Sequence, residues 1–489
     1  MSDPATKTVH IPLPSRPPRC PDYRDVTSAE ELLPFFESVA RRPFSNGLWA
    51  AWDLQPGERV LLRVDSWHDP ICVEAAVRTL EKFGCQYEVV NVQRPGPPVW
   101  FEGHDEIEVM KDITKELAES FAEWERLDDE GTYDKVIWGY GGPILSERRI
   151  KVQRFPFITP EMTASAAHTF PAELLTAIDR WTWDRMREGR AVHITDPEGT
   201  DLRYTSRSEY WDKDRQYFNA EHIARFYPQN TAYGRTYLPG HIWGKPNFLL
   251  PEGLEDGHGV VAGTMNHIGP FPWMKLTIEN SSVTDIEGGG LFGEKLRRIA
   301  EETAHVQYPG MPGKGLLKWW EASIGTNPKI HRPRKDYLLG WNCALYERMR
   351  SGIVHIGYGS VISSAPETEA TLAGLPNIGH WHVHLNYPTV TLEGAGGAKE
   401  NLIEDGRLKA LDDPDIRRLA EKYGDPDLLL AEDWIPAVPG INIDGDYWRD
   451  YAQDPAAWTR AELEVCRRWH HLYMKMINPA GAADTDCRH

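Results

Sequence analysis

The chain has 489 residues, enough for more than one domain and a sizeable buried core. Its hydrophobic fraction of 41% and charged fraction of 26% are those of a soluble globular protein, and no run approaches the roughly 18 apolar residues of a membrane span. The formal charge of −19 argues against a nucleic-acid partner, whose phosphates call for clustered Lys and Arg. It leaves a small-molecule substrate open, because the local field in a cleft can oppose the net charge.

In chain order, residues 1–28 read as an irregular, proline-rich arm without the apolar stretch of a signal peptide, so a cytoplasmic protein is expected. A short amphipathic helix is expected over 29–40. Gly57–Val64 then reads as a buried strand, Pro70–Phe83 as a helix closed by Gly84, and Tyr87–Val92 as a second strand. Strand, helix and strand at this spacing make a βαβ unit of a parallel sheet. A helix over 113–127 and a strand over 135–140 extend it. No GxGxxG follows the first strand, so dinucleotide binding is not supported.

Beyond a helical segment near 160–187, Ala191–Tyr204 reads as a β-hairpin turning at Asp196-Pro197-Glu198-Gly199. Short strands follow at 259–264, 274–279, 282–286 and 352–357, with a helix over 291–303. The tail from Asp412 reads as helical and acidic, an extension expected to cover a neighbour. The expectation is an α/β domain over 29–186 with a parallel sheet, an α+β metal-binding catalytic domain over 187–411, and a C-terminal extension over 412–489. The six cysteines are scattered with no CxxC, which fits neither a disulfide framework nor a thiolate metal site.

The chemistry concentrates in three segments. Trp320-Glu321-Ala322-Ser323 supplies a carboxylate, Val354-His355-Ile356-Gly357-Tyr358-Gly359 an imidazole, and His380-Trp381-His382-Val383-His384 three more. On a strand, alternate side chains face one way, so His380, His382 and His384 would line one face. Imidazoles and a carboxylate drawn from separate segments are what a catalytic divalent metal needs. A lone histidine is more often a satisfied core or surface residue, and His384 is therefore placed beside the metal rather than on it. The tryptophans flanking these segments, Trp320 and Trp381, are read as walls for a planar substrate, and His267 as a substrate contact.

The stretches LQPGERVLLRV, VHITDPEGTDLRY, EASIGTNP, VHIGYG and HWH, in this order, resemble the thermophilic metalloprotease family of the leucyl aminopeptidase, or aminopeptidase T, type. The likeness covers about residues 50–100 and 187–410. It implies an α/β domain followed by a catalytic α+β domain, a homodimer or higher homo-oligomer, and a divalent metal (Zn, Mn or Fe(II)) on Glu321, His355 and His380. The family's aspartate after the first histidine is His382 here. Its Pro-x-Gly-Glu glutamate is displaced to Pro251-Glu252-Gly253-Leu254-Glu255. These departures point from a two-metal aminopeptidase towards a remodelled centre, as in the small-molecule members of the family.

The resulting expectation is a metal-dependent hydrolase of a small, aromatic substrate. A metal on Glu321, His355, His380 and His382 would activate water, Glu347 or Glu255 would take its proton, and Tyr358 would stabilise developing charge. The same ligands would equally serve a non-haem iron(II) ring-cleaving dioxygenase of the dihydroxypyridine type.

Overall fold

The computed structural model describes residues 16–21, 23–42, 51–93, 106–107, 120, 122–139, 150–155, 159–186, 188, 190–207, 237–238, 241–245, 255–309, 311–332, 347–360, 370, 373–394 and 396–462. The sequence reading of Glu252, Cys343, Cys466 and Cys487 lies outside them.

The first layer is an α/β unit. Helix α1 (Ala29–Arg41) opens where Ser28 Oγ donates to Glu31, three residues on, and it buries Leu32, Phe36 and Val39. Strand β1 (Arg59–Asp65) leads to α2 (Pro70–Lys82), whose Asp69 cap accepts from the Ile71 amide and whose Pro70 needs no partner in the first turn. Gly84, at φ +71°, lets the chain leave the helix and enter β2 (Gln86–Val92). With β3 (Lys135–Trp138) and β4 (Lys151–Arg154) these strands form a parallel sheet in the order β2-β1-β3-β4. The strand read to residue 140 ends at Trp138, and the described helix before it runs over 122–130.

After two single-turn helices at 160–163 and 166–169, α3 (Ala172–Met186) leads into two antiparallel sheets. The larger holds β5 (Ala191–Asp196), β6 (Thr200–Thr205), β9 (His258–Met265), β10 (Pro270–Glu279), β11 (Ser282–Gly288), β15 (Thr389–Glu393), β16 (Lys399–Glu404) and β17 (Arg407–Leu408), in the order β11-β10-β9-β6-β5-β15-β16-β17. The expected hairpin at 191–204 is its β5–β6 pair, with Asp196 Oδ1 accepting from the Glu198 amide inside the turn.

The smaller sheet has the order β14-β13-β12-β8-β7. Its strands are β7 (Tyr237–Leu238), β8 (His241–Lys245), β12 (Trp319–Gly325), β13 (Val354–Gly359) and β14 (His380–Leu385). The main apolar core joins the two sheets: Val192, Leu202, Val261 and Leu276 from one meet Ile324, Ile356, Val383 and Leu385 from the other. Helices α3 and α4 (Gly290–Thr303) add Ile178 and Leu296.

The tail was expected to be helical. Its described part is helical over 414–420, 426–429, 447–452 and 455–462, with irregular stretches between them, and it packs against its own chain. Lys329 Nζ reaches Asp433 at 2.7 Å, and Arg16 grips Glu432 at 2.7 and 2.8 Å. Among the described residues, no helix is long and apolar enough to cross a membrane.

Candidate metal centre

Register decides what the smaller sheet presents. Across β13–β14, His355 pairs with His384, Gly357 with His382 and Gly359 with His380. Across β12–β13, Ser323 pairs with His355 and Glu321 with Gly357. Across β8–β12, His241 pairs with Gly325. Paired residues of neighbouring strands share a face. Glu321, Ser323, His355, His380, His382 and His384 therefore line one side, together with His241. The alternate residues Val354, Ile356, Tyr358, Trp381, Val383 and Leu385 enter the apolar core on the other side.

On the polar face the donors converge on Glu321. One carboxylate oxygen lies 2.9 Å from His355 Nε2 and 3.5 Å from His241 Nε2, and the other lies 3.0 Å from His380 Nε2. His241 and His355 bring their Nε2 atoms to 3.3 Å. Ligand atoms at about 2.1 Å from one cation sit roughly 3.0–3.4 Å from one another, so these spacings fit a bound ion. His382 joins Glu321 and His380 in a second such grouping, and His267 joins His355 and His382 in a third.

Proton placement supports the fit. His380 Nδ1 lies 2.7 Å from the Ser360 carbonyl, which can only accept, so Nδ1 carries a proton. In a neutral ring this leaves a lone pair on Nε2, directed at a carboxylate oxygen 3.0 Å away. Two acceptors at that distance call for a cation between them, either a further proton or a metal. Burial keeps the rings neutral: it pushes His241, His267, His382 and His384 well below the ordinary histidine range, with the nearby Arg348 charge adding to the effect on each. Burial likewise pushes His355 down to about 4, against the pull of Glu321. For Glu321, burial would raise the carboxyl, but His355 and His380 outweigh it and hold the group well below the usual range. Neutral imidazoles and an ionised carboxylate are the ligand states a metal requires.

Around these ligands lies a hydrogen-bonded frame. Arg348 donates to His267 Nε2, and His267 Nδ1 lies 2.7 Å from His384 Nε2. An arginine cannot accept, so the protons of this chain point from Arg348 through His267 to His384. His267 reaches the face from the β9–β10 turn, where Asn266 Oδ1 accepts from the amides of Ile268 and Gly269. Its ring stacks on His382 with centroids 3.4 Å apart and planes 5° from parallel. Glu106 accepts from His382 Nδ1 at 2.7 Å and from the His382 amide at 2.8 Å.

The structure gathers Glu321, His355, His380, His382, His267 and His384 in one buried cluster. Other residues of the sequence reading lie elsewhere. Glu347 is buried in an ion pair with Arg332, at 2.8 and 3.2 Å, so both of its oxygens are engaged. Glu255 acts on Lys318, holding its ammonium up against the effect of burial. Tyr358 and Trp381 lie on the core side of their strands, because strand alternation turns them away from the imidazoles. The Tyr358 phenol is raised well above its ordinary range by burial, with Glu106 adding to the shift. Trp320 sits where the β12 register shifts, and its indole donates to the Gly359 carbonyl at 2.6 Å. The expected aromatic wall around the metal is thus part of the apolar core.

The sequence reading missed His241, Arg348 and Glu106. His241 sits in Pro239-Gly240-His241, where nothing separates it from a surface histidine, and Glu106 sits among other acidic residues.

No protein-family model matches the sequence, and no curated protein matches it. Two solved structures show remote similarity. The 2,5-dihydroxypyridine dioxygenase of Pseudomonas putida KT2440 is 15% identical, with a TM-score of 0.40 over 78% of this chain and 98% of that one. Wild-type AmpT of Thermus thermophilus is 13% identical, with a TM-score of 0.38 over 78% of this chain and 99% of that one.

Proposed function

We propose that this chain is a metal-dependent enzyme acting on a small molecule, with one divalent cation held by Glu321, His355, His380 and His382. The observation that carries the reading is the convergence of imidazole Nε2 atoms on the single carboxylate of Glu321, at 2.9 and 3.0 Å. His241, 3.5 Å from the same carboxylate, is a further donor.

The donor set suits either chemistry, oxygen activation at iron(II) or water activation at zinc or manganese. Histidines with one carboxylate are the ligand set of non-haem iron(II) oxygenases. A hydrolytic reading needs a base near the bound water, and of the two carboxylates expected to serve, Glu347 has both oxygens engaged by Arg332. Bound iron(II) would supply oxygen activation. The protein's own residues would hold the ion, keep the imidazoles neutral through burial and Arg348, and fix ring orientation through Ser360 and Glu106.

The deciding experiment is metal analysis of anaerobically purified protein, followed by exposure to air. One iron per chain, oxidised or lost in air, would select the oxygenase chemistry. Zinc or manganese indifferent to oxygen would return the centre to hydrolysis, and two ions per chain would favour a peptidase-like centre. A protein that retains no metal would overturn the proposal.

A further inference from the structure

We infer that Glu106 is a positioning residue for the metal centre: it selects the tautomer of His382 that presents Nε2 to the ion. The inference rests on the metal-centre reading above and adds a residue from the α/β half of the sequence, 276 positions from the histidine it holds.

The geometry is specific. Glu106 is fully buried, and both of its oxygens are engaged by one residue. The first accepts from His382 Nδ1 at 2.7 Å and the second from the His382 backbone amide at 2.8 Å. A backbone amide can only donate, so the carboxylate is aligned as a two-point acceptor. That alignment puts the imidazole proton on Nδ1 and leaves the lone pair on Nε2. The neighbouring Ile107 is seated in the apolar core between the two antiparallel sheets, which fixes where the carboxylate stands. His267 stacks on the face of the His382 ring, so the ring is held in its plane by one residue and against tilting by the other. Partners of this kind orient metal-binding histidines and raise their basicity, and their loss typically costs about 10–100-fold in metal affinity.

The chemistry of the amide isostere gives a distinctive test. In Glu106→Gln the side-chain oxygen can still accept from the His382 amide, but the NH2 group then faces Nδ1. Two donors cannot face each other, so the imidazole proton moves to Nε2 and blocks the lone pair. In Glu106→Ala no group dictates the tautomer. The order expected is therefore the reverse of what simple packing predicts: the isosteric Gln variant impairs the site at least as much as Ala.

The experiment is chelator competition with Zn²⁺ as the probe ion on wild type, Glu106→Gln and Glu106→Ala, alongside ¹⁵N-histidine NMR of the metal-free proteins. The expected result is about a 10–100-fold weaker Zn²⁺ affinity in Glu106→Gln, no better than Glu106→Ala, with the His382 signal changing from the Nδ1–H to the Nε2–H form. Wild-type affinity in Glu106→Gln, or a Gln variant clearly milder than Ala, would overturn the inference. A wild type that binds no Zn²⁺ would count against the metal centre itself, while the tautomer spectra would still decide the role of Glu106.

Discussion

His380 and Glu321 meet across a strand that lies between them. They belong to β14 and β12, with β13 in the middle, yet His380 Nε2 stands 3.0 Å from Glu321 Oε2. The contact exists because the intervening residue is Gly357. A Cβ there would come within 2.5 Å of His380 Nε2 and 3.0 Å of Glu321 Cβ. Gly357→Ala should therefore push His380 off the carboxylate. We expect a loss of stability of about 1–3 kcal/mol from overpacking and at least about a tenfold loss of metal affinity, read by thermal melting and chelator titration. Wild-type metal affinity in this variant would show that the His380–Glu321 contact is not part of the centre.

His355→Ala and His380→Ala should each abolish metal retention through dialysis, because each removes an imidazole lying within 3.0 Å of the shared carboxylate. Unchanged metal content in both would remove the basis of the assignment.

His382→Asp tests the departure from the aminopeptidase pattern. Glu106 already occupies the space beside position 382, so an aspartate there would face a like charge in a buried site. We expect His382→Asp alone to hold metal poorly and His382→Asp/Glu106→Gln to recover part of it, as measured by metal content after gel filtration. Full retention in the single variant would argue that position 382 tolerates either ligand.

Much of this centre was legible in the sequence and some could not be. The alternation His380-x-His382-x-His384 fixes a one-sided strand by period alone, and Glu321 and His355 stand in segments of matching strand character. Which strands lie side by side is a long-range matter. Nothing local says that β8 pairs with β12, so His241 could not be placed, and nothing local brings residue 106 to residue 382. Trp381, expected as a substrate wall, stands on the core side of β14, as the same alternation dictates. Glu347, expected as a base, is held by Arg332, 15 residues earlier, a pairing that depends on the fold.

The buried pairing of Arg16 with Glu432 should matter to stability by several kcal/mol. Arg16 and Glu432 form a buried two-point pair, and Arg407 also reaches Glu432 at 3.3 Å. Glu432→Gln leaves the Arg16 guanidinium without this charge partner, while Arg407 keeps Asp412, and breaking a buried pair costs about 3–5 kcal/mol. Chemical denaturation should show this loss, and a shift under about 1 kcal/mol would mean that solvent reaches the pair.

Two buried groups outside the centre contribute to opposite ends of a pH–stability profile. His168 is pushed down to about 3, first by burial and then by the charge of Arg42. Its contribution is full above the ordinary histidine value of 6.5 and is lost as pH falls from there towards 3, by about 1.4 kcal/mol per unit. Glu198 is pushed up to about 8, first by burial and then by repulsion from Asp196. Its contribution is present below the ordinary value of 4.5 and is lost as pH rises through 8. Melting temperatures across this range should fall at both ends. His168→Asn should flatten the acid limb and Glu198→Gln the alkaline one, and unchanged limbs would reject these assignments.

The two-faced character of β14 has a consequence for how the chain finds its structure. A slip of one residue in its pairing with β13 would turn His380, His382 and His384 into the core and Trp381, Val383 and Leu385 out of it. Burying three imidazoles among apolar side chains and setting three large apolar groups against Glu321 on the polar face are both costly, so one misalignment is penalised twice. An ion that binds only the correct alignment would add a third penalty. The histidine triplet would then act during folding as a ruler for its own strand, before any substrate is bound.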